Sequence, residues 1–318
     1  MPSRLATDAE VDTWRTEGWV LLDGIVGTDE IDAVLDDLWL TYPTNEEYRR
    51  DPVGETERRR GRPRLREETF VWPEDGPGFR SEQQLWSDVF PFRGSGALNR
   101  LCVHPSIVDF AERALDTEDI RLYQVHLTAK YEGITNYEQP MHTDRNHSWL
   151  PAVPTAPWWN LEGFLYLSDV TPEDNPTRVV STRETKDVSP LTPVLMPDTA
   201  PEIYAAEQPA VGVRGSYFAY RSDVFHRGSA FGSRDTARFV LALAFKQAGQ
   251  DWIGYDEAQS RSNGPEWIRF AQSCSWRELA LFGFPPPGHP IWTAALLDET
   301  HIRYPKLDLE PWRQALDS

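Results

Sequence analysis

Between residues 120 and 245 the chain breaks into short runs of β-forming residues, and this texture restricts the fold more than any other feature. IRLYQVHLTAKY, NLEGFLYLSDV, RGSYFAY and RFVLALAFK are rich in β-branched and aromatic residues, with Pro, Gly, Asn and Asp between them. Short strands separated by turn residues predict a sandwich or a barrel.

Helical patterns precede this stretch. Residues 7–17 (TDAEVDTWRTE) predict a helix, with Thr7 or Asp8 as cap and Glu10 in the first turn. GWVLLDGIV then reads as a short strand. In TDEIDAVLDDLW, the residues Ile31, Val34, Leu35 and Leu38 fall at helical spacing. Residues 43–83 are rich in charge, Pro and Gly and predict an irregular excursion. Its run Glu57–Arg58–Arg59–Arg60–Gly61–Arg62 is either a solvated loop or a contact for an anionic substrate or another subunit. Residues 84–116 look helical, with Pro105 near a helix start. The last 70 residues, with GFPPPGHP and several Trp, predict loops and short helices packed outside the core or over an opening. The expected organisation is one domain over 1–318: a mostly helical part (1–119), a β core (120–248) and a C-terminal tail covering it (249–318).

The formal charge of −18 argues against nucleic acid and against an anionic lipid surface, since both are bound through clustered Lys and Arg. Two cysteines, Cys102 and Cys274, make no disulfide framework and read as small buried residues. No apolar signal segment opens the chain and no run approaches the roughly 20 apolar residues of a membrane span. A soluble, cytoplasmic protein is the expectation, with oligomeric state left open.

The sharpest local signal is Gln139–Pro140–Met141–His142–Thr143–Asp144. A His and an Asp two apart, at a strand end or in the following loop, can turn toward one metal. Imidazole nitrogen and carboxylate oxygen suit iron(II) in a site that keeps open positions. Of the chain's seven His, His226 stands out, because it ends GSYFAYRSDVFH where a strand gives way to a turn. Arg238 opens the next strand, and an arginine there can grip a carboxylate with two parallel hydrogen bonds. His104, His126, His289 and His301 read as hydrogen-bonded structural residues.

The order His142-x-Asp144, His226, Arg238 resembles the phytanoyl-CoA dioxygenase family of iron(II)/2-oxoglutarate oxygenases. VDTWRTEGWVLLDGIVGTDEIDAVLDDL resembles that family's helix–strand–helix start, and HPSIVDFAERAL followed by IRLYQVHLTAKY resembles its next section. The resemblance implies a mainly β fold with flanking helices, a double-stranded β-helix (a cupin-like jelly roll). It implies that His142, Asp144 and His226 ligate the metal and that Arg238 pairs with the distal carboxylate of the 2-oxoglutarate cosubstrate. It implies a dioxygenase that uses O2, yields succinate and carbon dioxide, and hydroxylates an unactivated C–H bond.

Other roles stay open. Lys130 is a second 2-oxoglutarate anchor or a surface strand lysine. Phe164, where the family often has Trp, lines the cosubstrate pocket or packs in the core. Arg145, Asn146, His147 and Trp149 follow the first two ligands and are substrate contacts or loop residues without a role. The pair Trp158–Trp159 packs or faces a ligand. The family's Asn-Gly turn and Pro-Gly-Ser-His-like run are replaced by DNPTRVVSTRE, and Val240 stands where a Ser is common. The same site also serves desaturation, epoxidation or cyclisation, whereas halogenation usually requires the carboxylate ligand to be missing, and Asp144 is present. A reading of another class is an inactive scaffold, which has no need of all four site residues.

Overall fold

In a computed structural model of the chain, residues 2–58, 64–69, 82–132, 138–144, 160–189, 192, 194–250 and 265–316 are described. The strands are β1 (Trp19–Leu22), β2 (Arg64–Thr69), β3 (Glu82–Val89), β4 (Ile120–Tyr131), β5 (Asn160–Tyr166), β6 (Thr177–Val179), β7 (Gln208–Pro209), β8 (Tyr217–Arg221), β9 (His226–Gly228) and β10 (Ala237–Gln247). They form a seven-stranded sheet in the order β1-β8-β5-β10-β4-β3-β2 and a three-stranded sheet in the order β7-β6-β9. Every pairing is antiparallel. Isolated bridges extend the smaller sheet, His142 pairing with His226 and Met141 with Leu195.

Strand alternation divides the large sheet into two faces. Leu127, Ala129 and Tyr131 of β4, Phe239, Leu241 and Leu243 of β10, and Leu161 and Leu165 of β5 join one hydrophobic cluster on the outer face. Their neighbours Thr128, Lys130, Arg238, Val240, Glu162 and Phe164 line a cavity on the inner face. The register between β4 and β10 shifts at Ala244/Phe245. This β-bulge sits among the inward residues of β4 and turns consecutive side chains, Tyr123 and Gln124, inward.

Helices cover the outer face. The N-terminal half supplies α1 (Asp8–Glu17), α2 (Thr28–Asp32), α3 (Leu35–Thr41), α4 (Asn45–Arg50), α5 (Pro52–Arg58), α6 (Ala97–Leu101) and α7 (Pro105–Leu115). A capping box closes α1: Thr7 accepts from the Glu10 amide, and the Glu10 carboxylate accepts from the Thr7 amide. Gly18 ends the helix at φ 82°, a left-handed conformation that favours glycine. Trp14 is fully buried and meets Phe110 of α7 edge-on at 6.4 Å, so its loss costs about 3–5 kcal/mol.

Two expectations need correction. Residues 43–83 are not irregular throughout: α4 and α5 occupy 45–58, and β2 and β3 extend the large sheet beyond β4. Thr44 caps α4 with a second capping box, a signal hidden in the charge-rich composition. The rest of that stretch, with most of its arginine run, lies outside the described residues. Residues 84–89, expected to be helical, belong to β3.

Beyond β10 come the C-terminal helices; between β6 and β7 lies α8 (Pro201–Ala205). The tail contains α9 (Pro265–Ala271), α10 (Trp276–Ala280), α11 (Ala294–Arg303) and α12 (Glu310–Leu316). Trp267, Trp292 and Trp312 join the outer-face cluster. Among the described residues, none of the tail lines the inner cavity. Cys102 and Cys274 are buried and unbridged, as their sequence reading had it. No helix among the described residues is long and apolar enough to cross a membrane.

Candidate active site

His142 and His226 are far apart in sequence but adjacent in space. They exchange both backbone hydrogen bonds, His142 N to His226 O at 3.0 Å and His226 N to His142 O at 2.8 Å. Residues directly opposite in such a pair project their side chains from the same face. The ring centroids lie 4.6 Å apart. Asp144 follows two residues later, with Oδ2 3.4 Å from His226 Nε2 and Oδ1 4.0 Å from His142 Nε2. One ligand atom from each of the three lies within 4.8 Å of the others.

Hydrogen bonding sets the chemistry of these rings. His142 Nδ1 lies 2.8 Å from the Pro140 carbonyl and His226 Nδ1 lies 3.1 Å from the Val224 carbonyl. A carbonyl only accepts, so each Nδ1 carries the proton and each Nε2 presents its lone pair to the shared space. Two imidazole nitrogens and one carboxylate on one side of a cavity form the facial donor set that suits iron(II) with open positions.

Tyr220 of β8 completes the group. Its hydroxyl donates to Asp144 Oδ2 at 2.7 Å, and its ring lies 4.6 Å from that of His226. Burial, then the neighbouring Asp144 and Glu162 carboxylates, push the phenol well above its ordinary pKa, so it stays a donor. Sequence reading missed Tyr220, because a Tyr in a β run is indistinguishable from a core residue until its partner is known.

The cavity beside these residues holds about 240 Å³. Arg238 and Lys130 stand directly opposite each other across β10 and β4, and both line it. Like charges in that position repel, so the pair favours an anion between them. Arg238 is 4% exposed. Its guanidinium lies 5.5 Å from the Tyr166 ring centroid and 5.9 Å from that of Phe164. Thus Phe164, half-buried, lines the cavity beside Arg238.

Asn175 joins the two cations. Its carbonyl accepts from Arg238 Nη1 at 2.5 Å and its Oδ1 from Lys130 Nζ at 3.0 Å, while its Nδ2 donates to the Ser229 carbonyl. It is fully buried with φ 56°, the left-handed conformation that Asn tolerates better than most residues. The segment DNPTRVVSTRE, a departure from the family pattern, therefore supplies the joint that orients both side chains. The Asn-Pro dipeptide was the available signal.

His126, read as structural, stands on the cavity wall. His104 does cap a helix, accepting from the Ser106 amide at 3.3 Å, and His289 Nδ1 accepts from the Ile291 amide at 3.2 Å. Arg145, Asn146, His147 and Trp149 lie outside the described residues, as do Trp158 and Trp159.

The two sheets form a jelly roll, with residues of both lining one cavity. No protein-family model matches the chain, and no curated protein matches it in sequence. Among solved structures it is similar to the non-heme alpha ketoglutarate dependent carbocyclase SnoK from nogalamycin biosynthesis. The TM-score is 0.55 at 16% identity, over 82% of this chain and 92% of that one. The epimerase SnoN, solved with Fe3+, alpha ketoglutarate and nogalamycin RO, gives 0.51 at 17% identity, over 76% and 83%. EvdO2 from Micromonospora carbonacea var. aurantiaca, complexed with 2-oxoglutarate, gives 0.51 at 12% identity, over 80% and 99%.

Proposed function

We propose that the chain, acting as one domain, is an iron(II)- and 2-oxoglutarate-dependent dioxygenase of the phytanoyl-CoA dioxygenase type that hydroxylates an unactivated C–H bond of a small organic molecule. One observation carries this reading: His142, Asp144 and His226 converge on a cavity that also receives the opposed cations Arg238 and Lys130. The donor set fits iron(II), and the paired cations fit the distal carboxylate of 2-oxoglutarate.

In this reading His142 Nε2, Asp144 and His226 Nε2 hold the metal. Iron and 2-oxoglutarate, when bound, supply the oxidation of substrate by O2, with succinate and carbon dioxide as co-products. The chain's own residues do the rest. The Pro140 and Val224 carbonyls fix the imidazole tautomers. Tyr220 holds the Asp144 carboxylate in one orientation. Arg238 and Lys130 anchor the cosubstrate, and Phe164, Val240 and Ala242 present apolar surface that keeps water from the reacting positions.

A second outcome at the same site is ring formation or epimerisation, which the carbocyclase and epimerase among the structural neighbours favour. Purified protein with iron(II), ascorbate and O2 tests the shared part. It is expected to convert 2-oxoglutarate to succinate slowly without substrate, and Asp144→Ala and His226→Ala are each expected to abolish this. Unchanged turnover in both variants would sink the ligand assignment.

A further inference from the structure

The cavity is polarised along its length. Its inward rows on β4 and β10 run Lys130/Arg238, Thr128/Val240, His126/Ala242 and Gln124/Ala244. At about 3.3 Å per residue, Lys130 and Gln124 lie roughly 20 Å apart along the strand. At the Gln124 end a carboxylate enters the wall: Glu162 of β5, directly opposite Tyr220 of β8. Glu162 is 4% exposed.

Several side chains hold Glu162 in place. Its Oε1 accepts from Asn160 Nδ2 at 2.9 Å and from the Tyr123 hydroxyl. Asn160 Nδ2 also donates to the Tyr123 oxygen at 2.8 Å, and Asn160 Oδ1 accepts from Ser222 at 2.7 Å. Tyr123 reaches inward only because of the β-bulge. A carboxylate in a cavity wall is unfavourable unless hydrogen-bonded, and this network satisfies Glu162 and fixes its orientation. Tyr220 lies between Glu162 and the metal ligands, opposite the first and bonded to Asp144.

We infer that Glu162 is the recognition residue of a substrate subsite at the end of the cavity away from Arg238, and that this subsite takes a small molecule bearing a protonated amine. The inference rests on the dioxygenase reading, which assigns the cationic end to 2-oxoglutarate. Glu162 disfavours a second anion at the opposite end. An ammonium donates a charge-assisted hydrogen bond to the carboxylate, stronger than any a neutral hydroxyl makes there. Ala242 and Ala244 leave space beside it for the substrate's carbon skeleton.

The test uses the full chain loaded with Mn(II) and 2-oxoglutarate. The probes are methylammonium, methanol and acetate, and the readout is paramagnetic relaxation of their methyl protons, with Asp144→Ala as the metal-site blank. Methylammonium is expected to show roughly tenfold more enhancement than methanol, and acetate no more than methanol. Glu162→Gln, which keeps the side-chain volume, should bring methylammonium down to the level of methanol. If that variant does not fold, the wild-type comparison alone decides. Equal enhancement of methylammonium and methanol in Mn(II)-loaded wild type, or an excess that survives Glu162→Gln, overturns the subsite. A wild type that binds no Mn(II) overturns the dioxygenase reading, and the subsite with it.

Discussion

The Tyr220 hydroxyl donates a 2.7 Å hydrogen bond to Oδ2 of Asp144, so the carboxylate proposed to ligate iron has one oxygen already oriented by a buried phenol. Groups that orient metal ligands typically change affinity 10- to 100-fold when removed. Tyr220→Phe keeps the ring against His226 and removes only the hydroxyl. It is expected to weaken metal binding by roughly that factor without loss of fold, measured by titration with Co(II) and its visible absorption.

Arg238 and Lys130 are expected to contribute unequally to 2-oxoglutarate binding. Arg238 is buried and offers a planar pair of donors, whereas Lys130 is half-buried and offers a point charge. Arg238→Ala should weaken binding by about 2–4 kcal/mol, and Lys130→Met by less. Isothermal titration of 2-oxoglutarate into the Mn(II)-loaded protein checks the order. A larger loss in Lys130→Met would reverse the roles.

Asn175 separates backbone conformation from side-chain contact. Asn175→Gly keeps the left-handed backbone accessible and loses the side-chain oxygen that accepts a hydrogen bond from Lys130. Asn175→Ala loses the amide and adds about 1–2 kcal/mol of backbone strain. Both variants should bind 2-oxoglutarate more weakly, and Asn175→Ala should also unfold at the lower denaturant concentration.

Next to the proposed ligand His226, Arg227 is 7% exposed and held by Glu207 through bonds of 2.7 and 2.8 Å. Glu207→Ala leaves a buried guanidinium without that carboxylate and should destabilise the protein by about 3–5 kcal/mol. Thermal unfolding reads this directly. A change below about 1 kcal/mol would show that the remaining contact to Glu138 suffices.

The α1 capping box carries a pH signature. Burial raises the Glu10 pKa, but hydrogen bonds from Arg4 and Thr7 outweigh it and hold the carboxyl below its ordinary value of 4.5. A depressed carboxylate pKa stabilises the fold above the unfolded value and loses that contribution as pH falls through the folded one. Glu10→Gln should therefore be less stable than wild type at neutral pH and converge with it in acid. Urea unfolding at pH 7 and below pH 4 compares the two.

How much of this was legible before the structure follows from how far each signal reaches along the chain. The strands of the β core, the α1 cap and the His-x-Asp pair are local patterns, and each is readable in a few residues. The helical nature of 45–58 was obscured because charge-rich composition masked the Thr44 cap. Tyr220, Glu162 and Asn175 escaped notice for a different reason. Their roles depend on cross-strand neighbours that only the register supplies: Tyr220 opposite Glu162, and Arg238 opposite Lys130. A one-residue slip would turn each of them to the other face.

The most direct test of the central claim is an anaerobic titration of iron(II) and 2-oxoglutarate into the protein, followed by visible absorption. Chelation of iron(II) by a 2-oxoacid produces a charge-transfer band that neither component gives alone. Wild type should develop this band with one iron and one 2-oxoglutarate per chain, while Asp144→Ala and His226→Ala should not. No band in folded wild type, or an equal band in both variants, would contradict a metal centre at His142, Asp144 and His226.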